Sequence, residues 1–216
     1  YEFEYLFLGE SDLRLCKGCH NCLFFGEDKC PIKDDSEGIR SRMLGADGII
    51  LVSPVYVINV TGLMKNFIDR MCFLCHRPAL FNQDFMVVST VGAIGLKKTL
   101  TYMKQVAEVW GAKSITPLGV STPPKEEIFT DKNTRLIRKA AGRYHHNFSR
   151  KLRPSFNQVM QFEMQKAVFT QKSAKKITPA DYHHYMRLKD KKFNIPVRIN
   201  PIKSMVAKLM RLVFIR

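Results

Sequence analysis

The sequence predicts an α/β fold built on a parallel sheet, and three observations carry that reading. Short continuous apolar runs stand at 48–52 (GIILV), 85–89 (FMVVS) and 114–120 (SITPLGV), the pattern of strands buried on both faces. Amphipathic helical stripes separate them. The spacing leaves room for one helix per crossover, the connection that parallel strands require.

Taken in order, residues 1–8 (YEFEYLFL) alternate aromatic and acidic at their start and read as a strand. A cysteine-dense loop follows at 16–30, and Asp35 is placed to cap a short helix over 36–45. The 48–52 strand closes on Ser53-Pro54. Apolar residues at 63, 64, 67, 68 and 71 then form a helical stripe. After the 85–89 strand, Leu96, Leu100, Met103, Ala107 and Trp110 mark a helix that Gly111 ends. Pro117 cannot donate to a ladder, so the 114–120 strand belongs at a sheet edge. A helix at about 131–150 carries Leu136, Ile137, Ala140, Ala141, Tyr144 and Phe148 on one face. Ligands of such sheets bind beyond the C-terminal ends of the strands. Here that edge comprises the loops 9–35, 53–62, 89–96 and 121–130.

Beyond residue 150 no strand of the buried type remains, which divides the chain into 1–150 and a helical extension at 151–216. Pro154-Ser155 opens one helix, with Phe156, Val159, Met160 and Val168. Thr178-Pro179-Ala180-Asp181 opens another, with a Thr cap, Pro at the first position and an acid in the first turn. Over 202–215, Ile202, Met205, Val206, Leu209, Leu212 and Val213 share one face, opposite Lys203, Lys208 and Arg211.

The 216 residues are 45% hydrophobic, which rules out a wholly disordered chain. No apolar run approaches the roughly 18 residues of a membrane span, and no cleavable leader is read, so a cytoplasmic protein is expected. The net charge of +16 is unevenly spread. Residues 1–100 hold 11 Lys/Arg against 12 Asp/Glu, and residues 101–216 hold 24 against 7. A neutral front half suits a small-molecule site. A basic back half suits an anionic surface, and 197–216 could lie peripherally on a membrane, pack on the protein itself, or serve only solubility. Nucleic acid is not expected, because no basic segment is interleaved with stacking aromatics.

Cys16, Cys19, Cys22 and Cys30 form a C-x2-C-x2-C-x7-C array. Three thiolates at this spacing can cap three corners of a cuboid cluster, and the fourth can reach back past Gly26. The triplet favours a 4Fe-4S cluster over zinc, which usually takes two separated pairs; a structural zinc or free thiols are the alternatives. Cys72-Phe73-Leu74-Cys75-His76 matches the haem c attachment spacing, but Cys72 falls at the end of a core helix and no haem is expected. No proton-transfer dyad or nucleophilic triad stands out. The pairs His145-His146 and His183-His184 are adjacent residues that do not share a helix face, so neither is expected to bind metal.

The cysteine array, Asp34-Asp35, Ser53-Pro54-Val55-Tyr56, Lys65-Asn66-Phe67-Ile68-Asp69-Arg70 and STVGAIG at 89–95 stand in one order. Together they resemble the iron–sulfur flavoprotein branch of the NADPH-dependent FMN reductase family, over roughly residues 1–120. The resemblance implies a flavodoxin-like doubly wound sheet, FMN as cofactor, a 4Fe-4S cluster on the cysteine loop, and NAD(P)H as electron donor. It implies an FMN-dependent oxidoreductase exchanging electrons with a small-molecule or protein partner, and a homo-oligomer. The rival is a non-catalytic module of the same fold that docks through its basic tail. Ser53, Pro54, Val55, Tyr56, Val57 and Asn59 would meet the isoalloxazine edge, Tyr56 with an aromatic face and Asn59 with hydrogen bonds. Thr90, Gly92, Ala93 and Gly95 would let backbone approach the ring closely. The family begins with a strand and a phosphate-binding loop of G-S-P-R type. Residues 1–8 match the family's second strand, so the chain is expected to lack the first. In that case 1–8 and 48–52 run parallel with a gap of about 9.5 Å, two strand spacings; direct pairing would instead make a complete four-stranded sheet.

Overall fold

The computed structural model describes residues 1–122 and 129–214. Three parallel strands form one sheet: β1 (Gly48–Val52), β2 (Asp84–Val91) and β3 (Ser114–Ser121). The order is β1-β2-β3, with Ile50 opposite Met86 and Val87 opposite Pro117. Pro117 therefore lies on an edge strand, as its missing N–H requires. The other edge is β1, and β2 lies between them.

Helices cover both faces. On the first, Ile49, Leu51, Phe85 and Val87 meet α2 (Ser36–Gly45), α3 (Gly62–Arg70) and α4 (Leu96–Val109) around a buried Trp110. On the second, Met86, Leu118 and Val120 meet Ala140, Ile137 and Tyr144 of α5 (Asp131–Phe148). This helix leans toward β2 and β3, leaving Ile50 and Val52 of β1 exposed. The fold is the expected α/β, flavodoxin-like one.

Residues 1–8 are not a strand. Their alternation supplies the pattern, but no neighbour supplies a ladder, so Phe3, Tyr5 and Phe7 stay exposed. Tyr1 instead packs edge-to-face against His145 and at a tilt against Phe148 of α5, and Glu4 pairs with Arg42 at 3.2 Å. Direct pairing with β1 is absent, and so is the parallel strand across a gap.

The extension contains α6 (Phe156–Phe169), α7 (Ala174–Ile177), α8 (Pro179–Arg187) and α9 (Pro201–Phe214). A capping box of Ser155 and Gln158 starts α6. Val159, Phe162, Tyr185, Phe193 and Ala207 make an apolar cluster that also takes in Phe81. Two expected caps are corrected. Thr178 turns its hydroxyl back to Ala174 O instead of capping α8. Asp35 receives the Asp12 amide, while Asp34 Oδ1 accepts from Ser36 N at the start of α2. Most of the 121–130 loop, and Arg216, lie outside the described residues.

Candidate functional site

At the C-terminal edge of the sheet the β1–β2 pairing continues past the strand. Ser53 N–H donates to Val88 O (3.1 Å) and Val55 N–H to Thr90 O (2.8 Å). The chain then reverses. Tyr56 and Asn59 exchange backbone hydrogen bonds of 2.8 and 3.1 Å, and the two residues between them, Val57 and Ile58, sit at φ 48° and 66°. Left-handed backbone at consecutive β-branched residues is strained, and strain of this kind gathers at binding sites. Neither Val57 N–H nor Ile58 N–H donates to an acceptor among the described residues.

The 89–95 loop closes on this turn. Gly95 has φ 101°, and a Cβ there would lie 2.8 Å from Val55 Cγ1 and 2.9 Å from Ile58 Cα. Only glycine permits that approach. The two expected loops therefore share one locus, and Gly92, Ala93 and Ile94 on one loop and Tyr56 (63% exposed) on the other are exposed. The residues divide by role. Ser53 is only 1% exposed, and its hydroxyl accepts the Thr61 amide and donates to Pro54 O. Asn59 Oδ1 accepts from Val60 N, and Thr61 Oγ1 caps α3 through Met64 N. Ser53 and Asn59 thus build the turn, while Tyr56 and Val57 (97% exposed) face outward. Sequence reasoning passed over Ile58 and Ile94, apolar residues that the loops leave exposed. Two isoleucines in loops were the available signal.

The cysteine loop is wound by left-handed residues at Gly18 (φ 63°) and His20 (φ 60°), and it includes the short α1 (Asn21–Phe24). Asn66 of α3 pins it: Oδ1 accepts from Cys16 N, and Nδ2 donates to Leu13 O. Arg70, one turn further along α3, is buried and donates to Cys30 Sγ (3.1 Å), Asp34 Oδ1 (2.6 Å) and Ser36 Oγ (2.9 Å). Burial works to raise the Asp34 pKa, but hydrogen bonds from Ser36, Arg70 and the Arg14 amide outweigh it and hold the carboxyl below its ordinary value. Cys22 Sγ lies 3.5 Å from Cys72 Sγ. The Cys72 thiol donating to it, against the opposing effect of burial, lowers Cys22 to about 6 and pushes Cys72 upward. Cys22, Cys30, Asp34, Arg40, Arg70 and Phe73 line a cavity of about 170 Å³.

The array is thus only partly convergent. Cys22 and Cys30 share a cavity wall, while Cys16 and Cys19 are exposed. Among the described residues, no group of three or more His, Cys, Asp or Glu side chains stands at metal-holding geometry. The thiols suit iron–sulfur chemistry by type.

A second arginine ties this loop to the extension. Arg77 donates to Cys22 O (2.5 Å), Leu23 O (3.0 Å) and Glu27 (3.2 Å), and also to the fully buried Asp181 of α8. His76 Nδ1 lies 2.7 Å from the other Asp181 oxygen. The sequence placed Asp181 as an ordinary first-turn acid; its partners lie more than a hundred residues earlier, beyond the reach of local pattern.

Residues 1–126 match the sequence profile of the family described as NADPH-dependent FMN reductase. The chain is 35% identical over 120 residues to an iron-sulfur flavoprotein of Archaeoglobus fulgidus, covering 55% of this chain and 52% of that protein. It is 28% identical over 154 residues to an iron-sulfur flavoprotein of Clostridioides difficile, covering 71% and 67%. The chain thus spans about half the length of the first of these relatives. Among solved structures, RosB with a bound 8-demethyl-8-formylriboflavin-5'-phosphate intermediate aligns with a TM-score of 0.55 at 11% identity. That alignment covers 92% of this chain and 77% of RosB, so the likeness of fold extends into the C-terminal helices.

Proposed function

The chain belongs to the NADPH-dependent FMN reductase family, and on that premise we propose that it is an FMN-dependent oxidoreductase that takes electrons from NAD(P)H and passes them to a cluster on its cysteine loop. The observation that carries the flavin reading is the strained Val57-Ile58 turn seated on Gly95. Two unpartnered amides, an exposed tyrosine face and a glycine whose Cβ space is already filled are what a flat heteroaromatic edge needs from a protein. FMN supplies the hydride and single-electron chemistry. Tyr56 and Ile94 would flank the ring, the Val57 and Ile58 amides would donate to its polar edge, and Ser53 would hold the turn in shape.

The cluster reading rests on the array and on the names borne by the relatives, both iron-sulfur flavoproteins. Cys16, Cys19, Cys22 and Cys30 would hold a 4Fe-4S cluster, with Arg70 donating a hydrogen bond to the Cys30 sulfur. Anoxic purification with iron and sulfide analysis tests the cluster. Mixing the FMN-loaded protein with NADPH or NADH in the absence of oxygen tests the donor. Loss of the flavin absorbance near about 450 nm is expected; an unbleached flavin with both nucleotides would overturn the NAD(P)H link.

A further inference from the structure

The last helix is turned inside out. Ala207 of α9 is fully buried against α6, while Ile202, Met205, Leu209, Leu212 and Val213 are each 57–73% exposed. At about 100° per residue these five fall within an arc of about 100° on the side opposite Ala207. Polar contacts fix this orientation. Lys203 Nζ donates to Pro154 O at 3.0 Å, and Arg211 Nη1 reaches Glu163 at 3.3 Å. Glu163 is itself only 1% exposed, so rotating the stripe inward would remove Arg211 from a buried carboxylate and leave it only the longer Lys166 pair at 3.7 Å. The apolar face therefore does not close the protein's own core.

Charge identifies what covers it. α9 carries Lys203, Lys208 and Arg211 and no acid. Residues 151–214 contain three acids, of which Glu163 and Asp181 are buried and paired, leaving Asp190 as the one exposed acid among the described residues there. Lys151, Arg153, Lys191, Lys192, Arg198 and Lys208 are exposed. A second copy would bring the same cations against these, which disfavours self-association. No helix is long and apolar enough to cross a membrane among the described residues, but a convex apolar stripe flanked by cations matches the interface of an anionic bilayer, where burial and charge act together. We infer that α9 is a peripheral membrane-binding helix that inserts Ile202, Met205, Leu209, Leu212 and Val213 into anionic lipid.

Flotation of the full chain with vesicles tests this. Binding is expected to vesicles of phosphatidylcholine with about one third phosphatidylglycerol, weakening at 0.5 M salt through screening, and not to phosphatidylcholine alone. The double substitution Leu209→Gln, Leu212→Gln should lower partitioning by about tenfold or more, with an unchanged melting temperature because both side chains already face water. Three results would overturn the inference: no binding of the unaltered chain to the anionic vesicles, equal binding by the double variant, or a dimer that the double substitution dissociates while vesicles go unbound.

Discussion

Ser53 and Tyr56 sit on the same turn and do different work. Ser53 is buried, with its hydroxyl engaged at both ends, whereas the Tyr56 side chain is largely exposed on the turn that Gly95 contacts. Replacing Ser53 with Ala leaves the half-buried Thr61 amide without its acceptor, which costs about 1–2 kcal/mol by urea unfolding. Gly95→Ala forces a Cβ into Val55 and Ile58 at an unfavourable φ, for a similar loss of about 1–3 kcal/mol. Asp34 gives a pH signature. Its folded pKa lies below the unfolded one, so its stabilisation is present above about pH 4 and lost as pH falls through the folded value. Asp34→Asn leaves the buried Arg70 without its carboxylate and should destabilise the protein at pH 7 by about 3–5 kcal/mol. The difference from wild type should narrow on acidification below about pH 4. A constant difference from pH 7 to pH 3 would contradict the assignment.

At the scale of elements, the strands were the most legible part of the sequence. GIILV became β1 with the expected bounds, and Pro117 correctly marked the edge. Such runs are decided by local burial, which pattern records. The 1–8 segment failed for the converse reason: alternation describes a strand's faces but not the neighbour that must pair with it. The loops that meet at Gly95 were expected to share one site; the left-handed turn at Val57 and Ile58 was not legible, because it is a conformation their residue types disfavour. The Arg77–Asp181 link joining the cysteine loop to α8 was likewise beyond local reading. Asp181→Asn should break that buried pair and destabilise the chain by about 3–5 kcal/mol, and limited proteolysis should cut earliest in the cysteine loop. Unchanged unfolding and cleavage would show that the link is not structural.

For the whole molecule, charge asymmetry and site placement agree. The neutral half supplies the sheet edge with the Val57-Ile58 turn and the cysteine loop, and the basic half supplies helices that pack against 75–81 and 108–112. Uneven charge was visible in composition; the outward turn of α9 was not, because amphipathicity gives a helix two faces without saying which one meets the body. The central claim is that the turn at 53–59 against the 89–95 loop holds flavin. Titration of the full chain with FMN, followed by quenching of flavin fluorescence and repeated with Tyr56→Ala, tests it most directly. Saturable quenching is expected, with affinity about tenfold or more weaker in Tyr56→Ala and thermal stability essentially unchanged. Absence of quenching, or equal affinity in the two proteins, would contradict the account.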